Sequence, residues 1–286
     1  MTDKEKNILE TFGQLTLEVN KLPSINYSYD LISKYEGIFL EGDTGLIIAS
    51  QKIQELERIF SSAKFALVKG SHDKHQGVSG DDAQTVIRFE FLKNAIIWYN
   101  SCYDYILQIV YFGFDFNKPI SCRSEYLKEL KNCRYIKNQK TSKTFYTEFE
   151  KIALKNPDAQ DLFERLNTFY FENKGKLRDW ANKLKHQGGI ELDILYTKPL
   201  GYGFRNEDCN KHCKELFSDY YIIPTIISLD EVIKEVIRVH IEIVQIVDYL
   251  YNFIGFKDIE VTNILNVNNK HIFKKFSVKT DNNATR

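Results

Sequence analysis

DAQTVIRFEFLKNAIIWYNSCYDYILQIVYFGF, residues 82 to 114, decides the fold class. Val86, Phe89, Leu92, Ile96, Tyr99, Tyr103, Ile106 and Val110 recur at helical spacing and point in most directions around the axis, so the stretch predicts one long, central helix. Asp81 with Gln84 supplies a start signal, after a Gly-rich polar segment, Lys69 to Gly80, that reads as a loop.

Working outward, the same rules predict further helices. Thr2 with Glu5 opens one at about 3 to 20, and others cover about 47 to 66, about 122 to 136 and about 143 to 155. Asn156-Pro157 is an N-cap and first-turn pair for a helix running to about His186, where Gly188-Gly189 ends it. Ser228 with Glu231 is a capping box for a helix to about Phe253, stopped by Gly255. Ile190-Glu-Leu-Asp-Ile-Leu-Tyr alternates as a strand does, with a partner expected at Tyr220 to Pro224. Between Tyr27 and Ser50, Gly37-Ile-Phe-Leu and Gly45-Leu-Ile-Ile flank Glu41-Gly-Asp-Thr, and periodicity leaves a hairpin or a helix-entering loop open there. The expected fold is mainly α, an elaborated helical bundle with a small β-hairpin excursion. One domain, 1–286, is the economical division, with its core at about 82–255 and a polar tail at about 264–286.

Composition narrows the function classes. With 286 residues and 43% hydrophobic content the chain can fill a sizeable core. Its 39 basic and 39 acidic residues cancel, so no global field draws it to nucleic acid or anionic lipid, and any nucleic-acid site must be a local patch. The longest apolar runs, Tyr105 to Phe112 and Ile241 to Phe256, fall short of the roughly 20 residues a membrane span needs. The polar start, Met1-Thr-Asp-Lys-Glu-Lys, is unlike a secretory signal. Five cysteines spread over the chain read as reduced thiols. The expectation is a cytoplasmic protein with no membrane partner and no cofactor. Signatures for dinucleotide binding, P-loop phosphates, serine hydrolysis and HExxH zinc chemistry are absent from the sequence.

Several constellations carry candidate chemistry. In Arg178-Asp-Trp-Ala-Asn182-Lys-Leu-Lys-His186, the four-residue steps from Arg178 to Asn182 to His186 place three polar side chains on one gradually drifting helix face, suited to a phosphate or small ligand. The same cations near a helix end also favour its dipole, and His186 or Lys185 can cap terminal carbonyls. Lys93, Asn100 and Asp104, with Glu90 and Gln108, line a polar stripe on the central helix. If that stripe is buried, Asn100 or Asp104 is placed to orient His186; otherwise it is a solvent face. His72-Asp-Lys-His75 offers two imidazoles and a carboxylate to a metal or phosphate, without a second ligand pair at zinc spacing. Cys209-Asn-Lys-His212-Cys213 gathers three ligand types but lacks the CxxC spacing, and reads as an accidental cluster.

The Asn182 to His186 segment, together with Phe91-Leu-Lys-Asn-Ala-Ile-Ile-Trp-Tyr-Asn-Ser-Cys-Tyr-Asp, resembles the HEPN superfamily of bacterial helical-bundle proteins over about residues 82 to 190. Its ribonuclease members carry an Arg-polar-x-x-x-His motif near the end of a bundle helix. The position before Asn182, where that motif has Arg, is Ala181 here. The resemblance implies a protein of a bacterial defence or toxin system, with RNA as partner and pairing as a homodimer. It also implies metal-independent RNA cleavage or retained RNA binding, with His186 as acid or base, Asn182 on phosphate or ribose and Arg178 stabilising charge. The competing expectation is a non-catalytic interaction or dimerisation scaffold whose helix at about 229 to 253 presents an apolar face.

Overall fold

A computed structural model describes residues 17–34, 44–114, 116–133, 145–172, 175–186, 189–195 and 225–256. Most of the first expected helix, the Gly37 to Glu41 stretch, the proposed strand at Tyr220 to Pro224, Cys209, His212, Cys213 and the polar tail lie outside the described residues. The architecture is mainly α with a minor β element, as the helical periodicities imply. The helices are α1 (Ser28–Ser33), α2 (Thr44–Ser71), α3 (Asp81–Gly113), α4 (Arg123–Asn132), α5 (Phe145–Ala153), α6 (Pro157–Asn167), α7 (Gly175–His186) and α8 (Leu229–Ile254), with strands β1 (Ile190–Leu192) and β2 (Thr225–Ile227). No described helix is long and apolar enough to cross a membrane.

The start signals act as their chemistry predicts. Ser228 Oγ accepts the Glu231 N–H at 3.2 Å, and Asn156 Oδ1 accepts the Ala159 N–H at 3.4 Å, satisfying donors that a helix leaves open in its first turn. Gln84 departs from the capping box. Its side-chain oxygen accepts the His75 N–H at 2.7 Å and its amide donates to the carbonyls of His75 and Val78, so it clamps the preceding loop onto the start of α3.

Gly45 to Ile48 is helical, in the first turn of α2, so of the two alternatives open for that segment the helix entry applies. Two expectations are corrected. The helix expected from Pro157 to His186 is interrupted. A π-helical turn, Thr168–Glu172, follows α6, and α7 begins only at Gly175, whose φ is +37°. The wider turn lets Phe169 and Tyr170, adjacent in sequence, both bury their rings. At Gly175 a Cβ would come within 3.3 Å of Glu235 Oε1, so both backbone and space favour glycine. Finally, β1 and β2 pair in parallel, Ile190 opposite Thr225 and Leu192 opposite Ile227, not as a hairpin. Parallel strands need a long connection rather than a tight turn, and 32 residues, 193 to 224, separate these two in sequence.

The fold divides into two compact units, each discontinuous in sequence. One comprises Met1–Leu22, Ser62–Asn100 and Gly175–His240, and its core includes Leu67, Leu92, Ile96, Tyr99, Leu177 and Val236. The other comprises Pro23–Ser61, Ser101–Lys174 and Ile241–Arg286, with Leu56, Phe60, Ile106, Phe112, Phe149 and Leu250 inside. Helices α2, α3 and α8 each give one part to each unit, so the chain before residue 70 contributes core side chains to both. Burying each such Leu, Ile or Phe is worth about 1.5–3 kcal/mol.

Candidate functional site

Helix α7 carries the leading candidates, and its register follows from its apolar residues. Leu177, Trp180 and Ala181 are buried, which sets the inward face. Turning away from it at 100° per residue, Arg178 is half-buried while Asn182 and His186 are exposed. The three expected site residues therefore share one stripe that drifts from the core edge toward solvent. His186 is the last helical residue, and Lys183, Lys185 and His186 all lie in the final turn, where cations offset the negative end of the helix dipole.

Contacts within the same unit hold α7 in place. Lys176 pairs with Glu231 of α8 at 2.6 Å, and Lys183 Nζ donates to Thr225 Oγ1 of β2 at 2.5 Å. His186 thus sits at the end of a helix anchored at both ends. The site presents an imidazole, an amide and a guanidinium at one-turn spacing, next to two ammonium groups. This set can bind phosphate oxygens, and its imidazole can move a proton.

The supporting residues on α3 behave differently from the buried-stripe expectation. Lys93 pairs with Glu90 at 2.6 Å and its ammonium lies 4.8 Å from the Phe89 ring centroid. Asn100 and Gln108 are half-buried, and Asp104 is exposed and belongs to the other unit. The stripe is the wetter side of a helix whose inward positions are Phe89, Leu92, Ala95, Ile96 and Tyr99. Among the described residues, no hydrogen bond joins His186 to Asn100. Helical spacing can align side chains on one face, but it cannot choose which neighbour that face meets.

The imidazole that α3 does engage is His240, which the spacing arguments passed over. Its side chain is 0% exposed, and its Nδ1 lies 2.6 Å from the Tyr99 hydroxyl, with the rings edge-to-face at 5.7 Å. The available signal was its position on the apolar stripe Val236, His240, Ile243 and Val247 of α8, which marks it as inward. A satisfied polar pair within a core fixes packing more than it offers chemistry. Tyr99→Phe is expected to cost about 1–3 kcal/mol by removing that hydroxyl from a buried pair. Urea denaturation followed by circular dichroism would measure it, and an unchanged midpoint would assign the pair no structural weight.

His72 and His75 lie side by side in the loop before α3, rings near-parallel with centroids 6.3 Å apart, and His75 also stacks on Phe91 at 5.4 Å. Burial holds the His72 imidazole below its ordinary pKa, and the neighbouring Lys69, His75 and Arg88 push it the same way. Arg88 is buried and its Nε donates to the Gly70 carbonyl at 3.1 Å, joining the start of α3 to the end of α2. Among the described residues, no group of three or more His, Cys, Asp or Glu side chains gathers in a way that could hold a metal ion.

No protein-family model, curated protein or solved structure matches this chain.

Proposed function

We propose that this chain is a HEPN-like RNA-binding protein of a bacterial defence or toxin system, and that the stripe Arg178, Asn182 and His186 on α7 receives the RNA backbone. The observation that carries the reading is the exposure of Asn182 and His186 at the cationic end of an anchored helix, with Arg178 one turn behind. In a metal-independent cleavage His186 transfers the proton, Asn182 holds a phosphate or ribose oxygen, and Arg178 offsets the developing charge. Pairing of two copies, with their α7 helices meeting, belongs to the same proposal.

A second reading, RNA binding or scaffolding without cleavage, is favoured by Ala181. The resembled motif has Arg at this position, and here the methyl group is fully buried. The test is incubation of the purified protein with mixed RNA in excess chelator, comparing wild type with His186→Ala. Cleavage by wild type alone, with a loss of at least about 100-fold in the variant, is the result expected of general acid or base catalysis. Equal cleavage by both proteins would remove His186 from the chemistry. Binding without cleavage would select the second reading.

A further inference from the structure

We propose that the C-terminal end of α2 and the loop that follows it form a binding surface for a single-stranded polynucleotide, with Phe65 as the stacking platform and Lys69, His72 and Lys74 as phosphate contacts. The inference rests on the reading of the chain as an RNA-binding protein, and it places a contact apart from the α7 stripe in sequence and in chemistry.

Charge singles out this segment. From Ser62 to Gly80 the chain carries Lys64, Lys69 and Lys74, together with the imidazoles of His72 and His75, against one acid, Asp73, in a protein whose formal charges cancel overall. Asp81 and Asp82 follow in the first turn of α3, where the positive end of the helix dipole offsets them. Lys64 is committed elsewhere, its Nζ donating to the Leu22 carbonyl at 2.5 Å. Lys69 is half-buried and Lys74 exposed.

The aromatic component is Phe65, 57% exposed on the outer side of α2. Lys69 lies one turn later with its ammonium 5.6 Å from the ring centroid. A base stacked on Phe65 would place its own phosphate within reach of that ammonium, the pairing of stacking and charge by which single strands are held. Lys64 and the polar Ser61 and Ser62 flank Phe65 in sequence, an environment unlike the apolar centre of a protein docking site.

The loop extends the surface in an ordered form. Gln84 clamps it through three hydrogen bonds, and Arg88 secures the carbonyl of Gly70 at its root. At Gly77 and Gly80 a Cβ would meet nothing within 4 Å, so the loop's outer side is open. Duplexes hide the faces of their bases, so the stacking platform selects single strands.

Fluorescence anisotropy of the full chain tests the surface, using labelled oligouridylate of about 20 nucleotides, its duplex with oligoadenylate, and oligothymidylate. Wild type is expected to prefer the single strands. Phe65→Ala is expected to weaken binding about tenfold, and Lys69→Ala to weaken it severalfold while lowering the salt dependence by about one counterion. Both positions carry partly or largely exposed side chains, and circular dichroism verifies that each variant is folded. Those losses support the surface; with them, equal affinity for uridylate and thymidylate assigns recognition to stacking and phosphate, and tighter uridylate binding assigns RNA. Unchanged binding in Phe65→Ala and Lys69→Ala overturns it. If Asn182→Ala and His186→Ala abolish binding in that case, the α7 reading survives alone. Preference for the duplex also overturns the surface. Failure of wild type to bind any oligonucleotide while it binds anionic phosphatidylserine vesicles overturns both readings.

Discussion

Ala181→Arg, which writes in the residue that the resembled motif carries, is expected to destabilise the protein by about 3–5 kcal/mol and to yield no RNA cleavage. Position 181 is 0% exposed and shares the inward face of α7 with Leu177 and Trp180. A guanidinium there loses its hydration without a partner and also overfills a site built for one methyl group, an added strain of about 1–3 kcal/mol. The α7 register cannot turn position 181 outward without driving Leu177 and Trp180 into water. Urea denaturation reports the loss directly, and the chelator-treated RNA assay reports activity. A stable variant that cleaves RNA faster than wild type would show that α7 can present position 181 to substrate, and would restore the intact-motif reading.

The second large effect concerns the other unit. Phe149→Ala is expected to cost about 3–5 kcal/mol. The Phe149 ring is 0% exposed, and its neighbours are Phe116 at 5.3 Å and Phe163 at 5.2 Å, both edge-to-face, and Phe145 at 5.9 Å, its ring plane parallel. Truncation removes the transfer energy of the ring, leaves a cavity the neighbours only partly refill, and deletes edge-to-face contacts worth about 0.5–1.5 kcal/mol each. Tyr29, 87% exposed on α1, supplies the control: Tyr29→Ala is expected to stay within about 0.5 kcal/mol of wild type. Loss of less than about 1 kcal/mol in Phe149→Ala would mean that the aromatic cluster is not a packed core.

Much of the helical framework was legible because its signals are local. Ser228 and Glu231 set the start of α8, and Asn156 and Pro157 that of α6, through first-turn backbone donors that a neighbouring side chain satisfies. The aromatic run of 168–172 was misread as plain helix because its periodicity is nearly helical, while its π-turn depends on where two adjacent rings find space. His240 was overlooked because its partner, Tyr99, lies 141 residues away. The candidate stripe on α7 was legible as spacing, whereas its anchoring by Glu231 and Thr225 was not.

By itself, then, the sequence determined the helical class, most helix ends and the alignment of Arg178, Asn182 and His186, since each depends on residues within one or two turns. Tertiary structure alone decided which faces are wet, that Ala181 is enclosed while His186 is exposed, that the strands run parallel, and that the buried imidazole is His240. Those outcomes depend on which distant side chains compete for the same apolar space, and no local spacing encodes that competition.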